Sequence, residues 1–104
     1  EALNAVKDGA AYLRALQLQP DLVSARYNLA LLYLQASEWS SAESLLREVV
    51  RQKPEYAAAH YTLGMIYARS PATLDQARQS YRRYLQLAPN EPTAAVVRKW
   101  LAEH

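Results

Sequence analysis

Apolar residues recur at helical spacing along the chain, in segments separated by short polar stretches. Leu29, Ala30 and Tyr33, for example, fall on one face of a helix. Pro54 and Pro89 mark helix ends, because proline lacks an amide donor and disfavours helical geometry in the preceding residue. The pattern predicts six helices, near residues 2–18, 24–36, 40–52, 58–69, 74–87 and 93–103. The chain is expected to be all-α.

The predicted helices form pairs that repeat. Pro20, Pro54 and Pro89 close similar segments and are separated by 34 and 35 residues. Upstream, residues 27–33 (YNLALLY) match residues 61–67 (YTLGMIY) at an offset of 34. Two independent segments therefore indicate one period, which is typical of helical repeat proteins.

The loop within the second pair, at residues 70–73, is one residue longer than its counterpart. This accounts for the second spacing of 35. Thr73 or Asp75 is expected to cap the following helix, because either side chain can accept a hydrogen bond from the first free amides.

The repeat resembles the tetratricopeptide unit, a 34-residue helix-turn-helix with the pattern W-x2-L-G-x2-Y, then A-x3-F, then proline. The chain departs from it at Arg26 and His60, where the family often has Trp, and at Tyr84, where it often has a small residue. The resemblance implies a right-handed α-solenoid. The matching residues are Leu29, Ala30, Tyr33, Ala42, Leu46 and Pro54, then Leu63, Gly64, Tyr67, Ala77, Tyr81 and Pro89.

One domain is expected over residues 1–104. Trp100 and Leu101 are expected to cover the exposed face of the last pair, since a helical array needs a cap with a polar outer side. Glu1 in place of Met indicates a piece of a longer protein. The expected parts are a helix of an incomplete repeat (1–20), two repeats (23–56 and 57–91) and a capping helix (92–104).

Side chains suited to catalysis are few. The chain has no Cys, and its two histidines, His60 and His104, do not form a metal-binding motif. The serines at 37–44 lack the context of a nucleophile elbow, and two isolated glycines cannot form a phosphate loop. We therefore expect no enzyme, no metal and no cofactor.

Charge is nearly balanced, at +2, but the basic residues are unevenly spread. From Arg69 onward there are six basic and three acidic residues. Arg78, Arg82 and Arg83 could form a stripe that contacts RNA or phosphate, and a solvated helix face explains the stripe equally well.

The first helix of each pair is apolar nearly all round, more than a one-sided surface helix needs. Besides the face that packs in the core, each of these helices therefore carries a second apolar stripe. The resemblance implies that this stripe lines a concave groove for an extended or helical segment of a protein partner. Burial between successive repeats is the alternative. The groove residues predicted are Tyr27, Asn28, Leu31, Leu34, Gln35, Tyr61, Met65 and Arg69.

The expected function is therefore a non-catalytic protein-interaction module, a scaffold or adaptor. Some family members grip a C-terminal carboxylate with Lys, Asn and Arg, whereas apolar and small polar residues occupy those slots here, so apolar contacts should dominate. The alternative is self-association through Tyr12, Leu13 and Leu16, and nucleic-acid binding ranks third. The carboxylate-binding slots hold Tyr27, Leu31, Ala58, Thr62, Thr93 and Val97.

No stretch of about 18 apolar residues occurs, so no membrane span is expected. The absence of cysteine leaves the compartment open. A cytoplasmic location is favoured, with a periplasmic one as the alternative if a leader has been removed.

Overall fold

A computed structural model of the chain describes residues 22–104, and every regular element within that range is helical. A short 3-10 helix, Pro71–Thr73, precedes the α-helix that begins at Leu74. The range contains five α-helices, and their predicted bounds are correct to within two residues. The helix expected at 2–18 lies outside the described residues. The α-helices are α1 (Val23–Gln35), α2 (Trp39–Gln52), α3 (Ala57–Tyr67), α4 (Leu74–Leu87) and α5 (Pro92–Glu103).

The chain divides into two compact units, residues 1–54 and 55–104. In the first, described from residue 22, α1 packs against α2 through small and aliphatic side chains. Arg26 Nη1 donates to Gln52 Oε1 at 2.5 Å and so joins the start of α1 to the end of α2. The buried residues of this pair are Ala25, Leu29, Ala30, Ala42, Leu46 and Val49.

In the second unit, α4 packs against both α3 and α5, and three tyrosines lie in the core among aliphatic residues. Tyr81, Tyr84 and Val97 form a buried cluster, with Trp100 and Leu101 packed against it. The ring of Trp100 meets Tyr81 edge-on, with centroids 5.1 Å apart. The expectation that Trp100 and Leu101 cover the last helix pair is therefore confirmed.

Gly64 determines how closely α3 and α4 approach. A Cβ atom at this position would lie 2.5 Å from Cδ1 and Cε1 of Tyr81, much closer than carbon atoms pack. Only glycine therefore lets the tyrosine ring lie directly against α3.

The turn before α4 differs from the expectation. Ser70 caps the 3-10 helix by accepting from the Ala72 amide at 3.3 Å. Thr73 precedes α4 without a side-chain cap, because its hydroxyl donates to the Tyr67 carbonyl at 2.5 Å. Asp75 pairs with Arg78. Capping of α4 by Thr73 or Asp75 was therefore a wrong prediction. Within residues 22–104, no helix combines the length and the apolar character needed to cross a membrane.

Candidate functional site

The predicted stripe on α1 is accessible along its whole length. Tyr27, Asn28, Leu31 and Leu34 are half-buried, and Gln35 is exposed. Apolar residues are spread round α1, whereas α2 confines them to one face. The α1 stripe is therefore a largely apolar strip that is partly accessible.

The corresponding stripe on α3 is more exposed. Tyr61 is half-buried, 41% of Met65 is exposed, and Arg69 is exposed as well. None of the eight predicted groove residues is fully buried. A partner-binding role for this stripe stays a prediction.

Thr62, the counterpart of Asn28, does not contribute to an accessible surface. It is 2% exposed, and its hydroxyl donates to the Ala58 carbonyl one turn earlier at 2.8 Å. A threonine side chain is short enough to be satisfied by its own helix. Of these two equivalent positions, Asn28 is therefore the one with an accessible polar side chain.

Helix α5 adds two positions that the sequence analysis did not assign to the groove. Val96 and Trp100 follow Tyr61 and Met65 by 35 residues, the spacing of the repeat. Val96 is 64% exposed, and Trp100 is half-buried. Extending the repeat spacing into the capping helix would have identified both residues.

A cleft of about 590 Å³ opens in the second unit where α3 and α5 begin and α4 ends. Tyr61 lies against Tyr84 there, with ring centroids 5.1 Å apart, and the hydroxyl of Tyr84 is hydrogen-bonded to Thr93 Oγ1. Tyr84 is also a position where the chain departs from the small residue common in the family. The lining residues are Ala57, Ala58, Tyr61, Tyr84, Leu87, Ala88, Pro89, Asn90, Glu91 and Thr93.

The tyrosines of this unit differ in how deeply they are buried. Burial raises the pKa of Tyr81 to about 12, and the neighbouring Tyr61 acts in the same direction. Tyr81 is therefore a neutral packing residue at physiological pH. The cleft combines aromatic and apolar walls with a rim formed by Asn90, Glu91 and Thr93, which is suited to side chains of a protein segment.

The arginine stripe on α4 is partly engaged within the chain. Arg78 pairs with Asp75 and also donates to the His104 carbonyl at 2.7 Å. Arg83 donates to Gln86 at 3.2 Å, and Arg82 is exposed. Contact with RNA or phosphate through this stripe stays a prediction.

The remaining predictions concern a metal site and self-association. Among residues 22–104, no three His, Asp or Glu side chains come together as a metal site. Tyr12, Leu13 and Leu16, named for self-association, lie outside the described residues, and that alternative stays a prediction.

Comparison with known proteins identifies the repeat family and gives three relatives to which the chain is similar. The tetratricopeptide repeat family profile matches residues 27–92. Protein O-mannosyl-transferase Tmtc1 of Drosophila melanogaster is 36% identical over 95 residues, covering 86% of this chain and 11% of that protein. Tmtc3 of the same organism is 33% identical over 79 residues, covering 76% and 8%. Human TMTC3 is 30% identical over 92 residues, covering 86% and 10%.

These relatives contradict one prediction. The scarcity of catalytic side chains led to the expectation that the protein is not an enzyme, yet all three relatives are named as protein O-mannosyl-transferases. The chain spans about a tenth of the length of these relatives.

The family assignment agrees with the structure. Tetratricopeptide repeats are typically protein-interaction modules, built from helix pairs such as α1–α2 and α3–α4. The matched segment begins at Tyr27 within α1 and ends at Pro92, where α5 begins, so it covers most of α1 and all of α2, α3 and α4. This chain belongs to the tetratricopeptide repeat family.

Proposed function

We propose that this chain is the protein-binding part of a protein O-mannosyl-transferase and holds a segment of a protein that the enzyme acts on. The names of the three relatives support the enzyme, and the repeat family supports binding of a protein. A protein-modifying enzyme must select its acceptors, and a repeat surface can grip a segment longer than a catalytic centre contacts.

The observation that carries the proposal is the exposure of Met65 and Val96. These are the two large hydrophobic side chains that are exposed within residues 22–104. Both lie at groove positions of the repeat, one on α3 and one on α5. Exposed apolar side chains at groove positions of two helices in one unit indicate a recognition surface better than scattered ones do.

In the first unit, the stripe on α1 has a chemistry that suits the same kind of partner. Tyr27 and Leu31 offer apolar area, while Asn28 can bond the backbone of an extended segment. Met65 is unbranched and can adjust to different side chains, which suits an enzyme with several acceptors.

The proposal is tested by selecting binders from a phage-displayed library of random dodecapeptides against the 104-residue chain. We expect enriched peptides to shift the amide resonances of Tyr61, Met65 and Val96. Met65→Glu and Val96→Glu should each weaken binding about tenfold, because each places a charge on an apolar contact.

The matched control is Ala95→Glu, which adds the same charge to an exposed neighbour of Val96 on α5. It should leave peptide affinity within about twofold of the native chain. If no peptide is enriched, or if Ala95→Glu weakens binding as much as Val96→Glu does, the proposal fails.

A further inference from the structure

The cleft in the second unit carries a single charged side chain among the residues that line it, that of Glu91. This residue is exposed, and its side chain does not cap α5. Within residues 22–104 its carboxylate forms no ion pair. The cleft therefore has a carboxylate on its rim that can pair with a cation from outside.

The walls beside Glu91 suit the rest of a basic side chain. Tyr61 contributes an aromatic ring, and Leu87 and Pro89 contribute apolar surface. Lysine and arginine have apolar stems that pack on such surfaces while their charged heads stay at the edge. A cation near a tyrosine ring is also attracted by the electron-rich face of that ring.

Helix α4 ends at the same cleft and favours a cation there. Its last residue, Leu87, lines the cleft, and its last turn carries no basic residue. The final carbonyl groups of a helix point beyond its end and carry partial negative charge.

Two features oppose a cation. Arg98 Nη2 donates to the Pro89 carbonyl at 2.7 Å, which places a guanidinium group at the rim. The first residues of α3 and α5 also lie here, and amino-terminal helix ends carry partial positive charge. The full charge of Glu91 must outweigh these contributions, so Glu91 and Arg98 are the residues to vary.

We infer that this cleft takes a lysine or arginine side chain of the bound protein segment, with the stem against Tyr61 and Leu87 and the charged head at Glu91. The inference rests on the proposed function and specifies the chemistry of the partner.

The experiment uses the peptides selected against the 104-residue chain. We expect them to share a lysine or arginine beside apolar residues. Replacing that residue by norleucine keeps the apolar stem and removes the charge, and should weaken binding about threefold to tenfold.

Two variants of the chain assign that loss to the cleft. In Glu91→Gln, the lysine and norleucine peptides should bind equally, because the carboxylate is gone. In Arg98→Gln, the preference for lysine should increase by about twofold, because a like charge has been removed.

The outcomes separate this inference from the proposed function. Peptides that depend on Met65 and Val96 but show no basic preference, or whose preference survives Glu91→Gln, overturn the inference alone. If no selected peptide depends on Met65 and Val96, the proposed function fails and the inference fails with it.

Discussion

The two helix pairs place different side chains at the same positions of the repeat. In the first unit, Ala30 on α1 and Leu46 on α2 are both completely buried. In the second, glycine at position 64 and tyrosine at position 81 occupy the equivalent slots, and the ring lies against the glycine. One residue becomes smaller as its partner becomes larger, so the space between the helices is filled in both pairs.

A second tyrosine, Tyr84, replaces an aliphatic residue in the core of the second unit. A tyrosine in a core brings a polar hydroxyl that must find a partner or water. Tyr84, which takes the place that Val49 holds in the first unit, forms its hydrogen bond with Thr93 at the beginning of α5. The aromatic core thereby extends to the edge of the cleft, whereas the described part of the first unit has an aliphatic core.

The largest expected effect is a loss of stability on removing Trp100, the α5 side chain that packs against the core of the second unit. Trp100→Ala should lower the free energy of unfolding by about 3 kcal/mol, because it removes the ring that packs edge-on against Tyr81. Urea denaturation followed by circular dichroism measures the change. Val96→Ala on the same helix should change stability by less than about 0.5 kcal/mol, because Val96 is mostly exposed. Equal losses in the two variants would contradict a covering role for Trp100.

The second prediction tests whether the small residue at Gly64 and the large one at Tyr81 depend on each other. Gly64→Ala should cost about 2 kcal/mol, since overpacking against the Tyr81 ring exceeds the gain in helix propensity. Adding Tyr81→Leu should recover part of that loss, because it recreates the alanine–leucine combination of the first unit. Thermal melts of the two single variants and the double variant give the coupling between the sites. Additive losses would show that the two residues act independently.

The control for this cycle lies in the first unit. Ala30→Gly should cost about 1 kcal/mol through helix propensity, with a further loss from the small cavity it opens. Gly64→Ala reverses that chemical change, yet both substitutions are expected to destabilise. A gain in stability from Gly64→Ala would mean that the tyrosine ring can move aside.

The sequence predicts helices better than it predicts contacts. Pro54 and Pro89 locate helix ends because their effect is local, and the repeat spacing locates the equivalent positions. The repeat spacing could not predict the contact between Gly64 and Tyr81. It assigns residues to equivalent positions of the repeat, but it does not show which side chains are in contact. The cleft was missed because its lining comes from three helices and a loop, and Val96 because the repeat spacing was not extended into α5.

The third prediction concerns high pH. Tyr81 has a pKa of about 12 in the folded chain, against an ordinary value of 10.0. Above pH 10 the unfolded chain loses this proton while the folded chain keeps it. Stability that is fully present below pH 10 is therefore lost as the pH rises towards 12, by about 1 kcal/mol after allowance for solvent screening. Urea titrations at pH 9 and pH 11.5 measure the loss.

Tyr81→Phe is the matched variant for this prediction. It keeps the ring against Gly64 and removes the ionising group, so its stability should fall about 1 kcal/mol less over the same pH range. If the native chain and Tyr81→Phe show the same pH dependence, ionisation of another group causes the loss.

The smallest expected effect concerns the polar link of the first unit. Arg26 occupies a slot where the family often has tryptophan, and it reaches Gln52 at the far end of the pair. Because the acceptor is a neutral amide, the coupling between Arg26→Met and Gln52→Ala should be about 0.5 kcal/mol and nearly independent of salt.

The ion pair between Glu48 and Arg51 provides the contrast. Its hydrogen bond lowers the pKa of Glu48, and its coupling should decrease between 0.1 and 1 M NaCl because the pair is exposed. Urea denaturation of the two double-mutant cycles at both salt concentrations measures this difference, and an equal salt dependence would show that Arg26 acts mainly through its charge.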